Sequence, residues 1–488
     1  MMQTILSFRV GLSLSLFMFS LEHVAAGKGP LRQWFPKPLP VLLDGSETGN
    51  PLFLTPLIES GNIEKARQDS LVGPLPSAPN ITSYAALLTV NKQYNSNMFF
   101  WFFPALNNAA TAPVLLWLQG GPGGSSLFGL FVEHGPLVVL KDMNVKLRKY
   151  TWAQEFSMLF IDNPVGTGFS FTNDKRGYAT NQTEVANDLY EALQQFFTVF
   201  QDYRKNEFYI TGESYAGKYV PAIAYKIHSE GSESKINLKG IAIGDGLCDP
   251  ETMLDYGDFL YQVGLVDERQ ADYVRQKTSL AQQYIQEEQW LKAFYIFDSI
   301  LNGDKTKQPS FFANATGLSF YYNFLYTEAP ENFGFYNQYL ALPAVRKAIH
   351  VGNLTYNDGS MVEDYLLEDI MKSVKPWFEV LMDNYKVMIY SGQLDIIIAF
   401  PLTESFLQSV KWKYSEEYKN SSRQIWKIKT TDKMVAGYVR QVHDFYQVLV
   451  RNAGHILPYD QPRIAFDMIS RFVNGKSFQN ASGFKVKH

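Results

Sequence analysis

The stretch Phe208–Tyr219, "FYITGESYAGKY", sets one serine between two glycines where a β-prone run gives way to a helix-compatible one. "EFYIT" (207–211) reads as a short apolar strand, and "YAGKYVPAIAYKIH" after it lines Tyr215, Val220, Ile223 and Ile227 along one helix face. Gly212 and Gly217 allow a tight turn and close backbone packing, and a serine on such a strand–turn–helix junction has its hydroxyl lifted off the sheet edge. Ser214 therefore reads as a nucleophile. The competing reading of the same residues is a small polar turn serine without reactivity.

Around this junction the chain alternates short apolar strands with longer helical stretches. The strands are "APVLLWLQ" (112–119), "SMLFID" (157–162), "LKGIAIG" (238–244), "YKVMIYSG" (385–392) and "FYQVLVRNAG" (445–454). Between two of them, "EVANDLYEALQQFFTVF" (184–200) places Val185, Leu189, Leu193, Phe196 and Phe197 on one face. Continuous apolar strands joined by such helices predict an α/β fold with a mostly parallel central sheet covered on both faces. Ahead of it, "ITSYAALLTV" and "SNMFFWFFPA" flank a polar "NKQYN" and predict a hairpin. Residues 250–384 lack the alternating rhythm and read as an inserted helical cap, leaving 81–249 and 385–488 as the core.

A nucleophile needs donors for the oxyanion it creates. "WLQGGPGGSS" (117–126) puts a glycine-rich loop directly after an earlier strand, where an α/β-hydrolase places one, and the Gly121 and Tyr215 N–H groups are the natural pair. A phosphate loop would need Gly-Lys-Ser/Thr, which does not follow. The acid and base should come later in the order Ser, Asp, His. Asp395 ends "YKVMIYSGQLD", and His455 lies in "NAGHILPYDQP" just after the last strand. Of seven histidines, His23, His134, His228, His350, His443 and His488 each fail on order or position. No His/Cys ligand cluster stands out, and this chemistry needs no metal or cofactor.

The chain has 488 residues, 46% of them hydrophobic, enough for a large core. A net charge of −4 with no long basic run gives no electrostatic reason to expect nucleic acid or an anionic membrane as partner. Arg9 followed by the apolar Val10–Leu21 run, with Val24 and Ala26 spaced for cleavage, reads as a signal peptide over residues 1–26. No later run approaches spanning length. Sequons at Asn80, Asn181, Asn314, Asn353, Asn420 and Asn480 agree with a secretory route. Residues 27–80, rich in Pro and Gly, read as an extended or removable lead-in, with the ordered core starting near Ile81. Cys248 is the single cysteine, so no intramolecular disulfide forms, and a lone thiol without a basic neighbour is expected to be a structural hydrophobe.

"GGPGGSS" (120–126), "IDNPVGTGFSF" (161–171), "GESYAGKYVPAIA" (212–224), "SGQLD" (391–395) and "AGHILPYDQP" (453–462) together resemble the serine carboxypeptidases, over about Pro51 to Phe472. The resemblance implies the α/β-hydrolase fold and removal of single C-terminal amino acids from peptides or proteins, usually in an acidic lumen, so that the product is secreted or lysosomal/endosomal. It makes Ser214, Asp395 and His455 the triad and the Gly121 and Tyr215 amides the oxyanion hole. Trp117, Gln119, Glu133 and Glu213 fall where the family holds the substrate's C-terminal carboxylate. Two positions depart from the pattern: Gln119 stands where the family usually has Asn, and Gly124 where it usually has Cys. Glu133 and Glu213 beside a bound carboxylate are expected to share a proton, which favours peptide binding at low pH. A lipase or esterase, or a hydrolase-fold protein that binds peptides without turning them over, are the alternatives. The oligomeric state stays open, a homodimer included.

Overall fold

The computed structural model describes residues 39–40, 47–306 and 308–478. The leader, His23, Asn480 and His488 lie outside the described residues. Ten strands form one sheet: β1 (Tyr84–Asn91), β2 (Ser96–Phe103), β3 (Val114–Leu118), β4 (Ser157–Ile161), β5 (Phe208–Glu213), β6 (Leu238–Gly244), β7 (Lys386–Gly392), β8 (Gln424–Trp426), β9 (Gly437–Val442) and β10 (Phe445–Val450). Their spatial order is β1-β2-β4-β3-β5-β6-β7-β10-β9-β8.

The six inner strands, from β4 through β10, run parallel. β3, β4, β5 and β10 are buried at every position, as a strand covered on both faces must be. At both margins the pairing turns antiparallel, through the β1–β2 hairpin and through β9 and β8.

The helix over the 184–200 pattern is α1 (Gln182–Val199). Asn181 caps it, its side chain accepting from the Glu184 N–H at 3.0 Å. Val185, Leu189, Leu193, Phe196 and Phe197 are all buried, and Phe196 meets Phe100 and Phe102 of β2 edge-on at 5.8 and 5.0 Å. On the elbow side, α2 (Ala216–Glu230) buries Val220, Ile223 and Ile227.

The ordered structure begins well before Ile81, which corrects the expectation drawn from the Pro/Gly-rich composition. Helices Thr55–Glu59 and Ile63–Asp69 precede β1, and Leu54 and Ala66 are in the core. The Leu54 N–H donates to Leu87 O and the Leu87 N–H to Leu52 O, both at 2.9 Å, so this segment covers the free edge of β1. Backbone pairing of that kind leaves no hydrophobic period to read.

Between β6 and β7 the chain is mostly helical, including Tyr256–Gln262, Glu268–Gln286, Trp290–Phe297 and α3 (Ser360–Ile370). Among the contacts that tie this segment to the core are a strand pairing and a buried ion pair. Asn357–Asp358 pairs antiparallel with Thr167–Gly168. Deeper in, Lys218 of α2, fully buried, meets Asp369 Oδ2 of α3 at 2.9 Å. Asp369 Oδ2 also accepts from Gln182 Nε2 at 2.6 Å and Tyr215 O–H at 2.9 Å, so the carboxylate is paired and hydrogen-bonded as a buried charge requires. Cys248 follows β6 and is buried, which raises its thiol pKa. Among the described residues no helix is long and apolar enough to cross a membrane.

Candidate active site

Ser214 stands between β5 and α2 with φ of +61°, a left-handed conformation that costs a non-glycine residue on the order of 1 kcal/mol. Three backbone bonds hold it there. Its N–H donates to Gly244 O at 3.0 Å, and its carbonyl accepts from Gly217 N–H at 2.9 Å and Leu247 N–H at 3.0 Å. A Cβ on Gly212 would lie 2.6 Å from Leu118 O, and one on Gly217 2.7 Å from Leu247 N, so glycine at these two positions is a steric requirement.

The glycine-rich loop after β3 lies against this elbow. A Cβ on Gly120 would be 2.6 Å from Ser214 Cβ and 2.6 Å from Tyr215 N. Gly121 has φ of +119°, and among the described residues neither its amide nor that of Tyr215 donates to a backbone carbonyl. Asp162 at the end of β4 clamps the loop from beneath: Oδ1 accepts from Ser125 O–H at 2.6 Å and Ser126 N–H at 3.1 Å, and Oδ2 from Phe169 N–H at 2.9 Å. Burial still pushes this carboxyl up to about 7.

Asp395 and His455 follow β7 and β10, on the same end of the parallel sheet as Ser214. His455 Nδ1 meets Asp395 Oδ2 at 2.7 Å, and both side chains are buried. The Tyr322 ring stacks on the imidazole at 4.5 Å, while the His455 N–H donates to Tyr322 O at 2.6 Å. These contacts fix the ring plane from the chain between β6 and β7. Nε2, the nitrogen opposite the Asp395 bond, is buried without a hydrogen-bond partner, and the Ser214 hydroxyl does not close onto it. Catalytic hydrogen bonds of this kind commonly tighten only when substrate is bound.

Next to the elbow, Gln119 bridges two groups: its Oε1 accepts from Trp117 Nε1–H at 2.9 Å and its Nε2 donates to Glu213 Oε1 at 2.7 Å. Glu133 ends the turn Gly129–Glu133, which approaches Trp117 so closely that a Cβ on Gly129 would sit 2.6 Å from Trp117 Cδ1. Glu133 and Glu213 are both fully buried. Burial lifts Glu133 to about 8 against the opposing pull of Glu213, Gln119 and Arg148. Burial, then Glu133 and Asp245, lift Glu213 well above the carboxylate range. Both Glu133 oxygens and Glu213 Oε2 have no hydrogen-bond partner, which leaves this corner short of donors.

The other described histidines are occupied elsewhere. His134 stacks on Trp152 at 3.9 Å, and burial pushes its pKa well down. His228 Nδ1 lies 3.2 Å from Tyr385 Oη, His350 Nε2 2.9 Å from Leu71 O, and His443 Nε2 3.1 Å from Glu417. Of the sequon asparagines, Asn80, Asn314, Asn353 and Asn420 are exposed and Asn181 is half-buried.

The serine carboxypeptidase family model matches residues 74–475. The chain belongs to the serine carboxypeptidase family. Probable serine carboxypeptidase CPVL of Homo sapiens is 58% identical over 435 residues, covering 88% of this chain and 91% of that one. Vitellogenic carboxypeptidase of Aedes aegypti is 44% identical over 432 residues, with 88% and 91% covered. Among solved structures, a prohormone-processing carboxypeptidase of Saccharomyces cerevisiae superposes with a TM-score of 0.71 at 22% identity, over 84% of this chain and 96% of that one. The first two agree with the family read from the motifs, and the third with the α/β-hydrolase fold.

Around the site of this serine carboxypeptidase lie residues that the sequence does not single out. Gly120 and Asp162 lie inside the motifs already noted, so their neighbourhood was visible though their contacts were not. Arg148, whose guanidinium donates to Gly135 O at 2.9 Å and Phe131 O at 2.6 Å, sits in a segment with no motif. Tyr322 belongs to the insertion, where nothing in the local pattern points at His455.

Proposed function

We propose that this serine-type carboxypeptidase releases single C-terminal amino acids through an acyl-enzyme on Ser214, with His455 as base and Asp395 as its orienting partner. The buried Asp395–His455 bond at the end of the sheet that carries the Ser214 elbow is the observation that supports this reading most. Ser214 Oγ attacks the scissile carbonyl as its proton passes to His455 Nε2, and the negative oxygen that forms is held by the Gly121 and Tyr215 amides. His455 returns the proton to the leaving nitrogen, the C–N bond breaks, and the amino acid departs. Water then attacks the ester with His455 again accepting the proton, and Ser214 is regenerated.

Exopeptidase specificity rests on Trp117, Gln119, Glu133 and Glu213 taking the substrate's carboxylate. A protonated Glu133 or Glu213 donates to that carboxylate; an ionised pair repels it. Because burial pushes the Glu133 carboxyl up to about 8, binding of a peptide acid should weaken as the pH rises to alkaline values. An ester of the same peptide carries no charge there and escapes the loss. We expect kcat/KM for a blocked dipeptide acid to fall toward alkaline pH while that of its methyl ester holds or rises, over about pH 4 to about pH 9. Glu133→Gln, a donor at every pH, should flatten the profile for the acid. Parallel profiles for acid and ester in the parent would refute this role of the glutamates.

The substrates are peptide or protein C-termini. The leader and the exposed sequons support a secretory route ending outside the cell or in a lysosomal or endosomal lumen. The core built on the ten-stranded sheet carries the triad, and residues 250–384 form the cap that presents Tyr322 to it.

A further inference from the structure

The acid of the triad has a second carboxyl behind it. Asp245 follows β6, in "GDG" (244–246), with φ of +44°, and two hydrogen bonds lock it between strands: its N–H donates to Tyr390 O at 2.8 Å, and its side-chain Oδ1 accepts from the Gly392 N–H at 2.8 Å. Gly392 ends β7, three residues ahead of Asp395, so Asp245 grips the very turn that carries the triad acid. One side-chain ligand atom each from Asp245, Asp395 and His455 lie within 4.8 Å of one another, and all three side chains are buried.

The unused hydrogen-bonding positions identify what passes between them. Asp395 Oδ2 is taken by His455, and Asp245 Oδ1 by Gly392. The remaining oxygen of each, Asp395 Oδ1 and Asp245 Oδ2, is buried with no donor. Two carboxylates that close and that dry cannot both be charged, whereas one proton between them satisfies both oxygens.

The surrounding groups decide which carboxyl keeps it. From β5 comes Glu213, from β7 the Tyr390 hydroxyl, and from the helix after His455 comes Asp460; Glu133 lies beyond Tyr390. All but His455 are acids. Asp460 has two donors, Gly454 N–H at 2.7 Å and Asn323 Nδ2–H at 2.9 Å, and Asp395 has the imidazole at 2.7 Å. Asp245 has a single backbone amide. Burial, followed by the Asp395 charge, accordingly raises Asp245 well above the carboxylate range.

We propose that Asp245 is a positioning residue of the triad, a neutral carboxylic acid whose Oδ2–H donates to Asp395 Oδ1. The donated bond fixes the Asp395 carboxylate in the plane that meets His455 Nδ1–H. It also offsets part of the Asp395 charge that faces the imidazole. Asp245 touches neither substrate nor reacting atoms. This inference rests on the triad assignment above.

The test compares Asp245→Asn with Asp245→Ser, using kcat for a blocked dipeptide methyl ester as a function of pH. Asparagine tolerates positive φ, accepts from Gly392 through its carbonyl and donates through its amide without changing the charge. We expect it to match the parent in kcat and in the position of the acidic limb. Serine is one bond shorter and cannot reach Asp395. It should lower kcat about ten- to a hundredfold and move the acidic limb to higher pH. A shifted limb in Asp245→Asn would mean that Asp245 is ionised in the parent and would overturn the proposal, and this variant settles the matter even where Asp245→Ser does not fold. A fall in kcat for Asp245→Ser with an unmoved limb would also overturn it, reducing Asp245 to a brace for the turn. Full activity in Ser214→Ala would instead refute the triad assignment itself.

Discussion

Ser214→Ala should remove peptide and ester hydrolysis together, by on the order of a millionfold in kcat, while leaving thermal stability within about 1 kcal/mol of the parent. The two halves of this expectation have separate causes. The hydroxyl is the only atom of Ser214 that forms a covalent bond with substrate. The backbone that holds the site does not use the hydroxyl: the bonds to Gly244, Gly217 and Leu247 all run through main-chain atoms. Alanine keeps the Cβ that faces Gly120 and adds no volume to a junction so tight that a Cβ on Gly120 would lie 2.6 Å from it. The positive-φ strain is the same for both residues. The check is single-turnover hydrolysis of a peptide acid and a methyl ester, paired with a melting curve. Residual turnover above about one part in a thousand, in protein free of contaminating peptidase, would remove Ser214 from the mechanism.

Acid should stabilise this protein. Six carboxyls hold protons in the folded chain that they would release on unfolding near neutral pH. Burial is the leading cause in each. It lifts Asp162, Asp188 and Asp298 to about 7, Glu133 to about 8, and Glu213 and Asp245 well above the carboxylate range. For a group with a raised folded pKa, the stabilising contribution is complete below the unfolded value and is lost as pH climbs to the folded one. Each such carboxyl therefore removes about 1.4 kcal/mol per pH unit within that window. His134 works in the opposite direction, since its buried neutral ring disfavours protonation and its contribution grows as pH rises. One histidine does not offset six carboxyls. The melting temperature should fall by on the order of 10 °C between about pH 5 and about pH 8. Glu133→Gln combined with Asp245→Asn should flatten the slope. A melting temperature that holds level or rises across that interval would contradict the assigned burial of these acids. The same titrations tie stability and peptide binding to one condition, acidic pH.

What the amino-acid sequence made legible follows its local periodicities. The inner strands have continuous apolar runs and α1 a period of 3.6, and the structure has them where the sequence places them. The elbow, the glycine-rich loop, Asp395 and His455 are legible because a turn that tight and a loop that close restrict which residues fit. The segment before Ile81 is illegible because its order comes from backbone hydrogen bonds to β1 and from isolated anchors such as Leu54, not from a repeat. Tyr322 and Arg148 stayed hidden for a related reason. Each reaches the site across a long loop of chain, and a contact between distant residues leaves no mark on either local sequence. Asp245 was in plain view beside β6, yet its meaning depends on which oxygens of Asp395 are already bonded, a fact only the fold supplies.

The central claim, a serine carboxypeptidase whose nucleophile is Ser214 activated by His455, is tested most directly by reacting the purified protein with a fluorophosphonate and mapping the adduct by mass spectrometry. The account predicts one adduct, on Ser214, formed by the parent and absent from His455→Ala. An adduct on any other residue, or none while the same preparation still releases C-terminal amino acids, would contradict it.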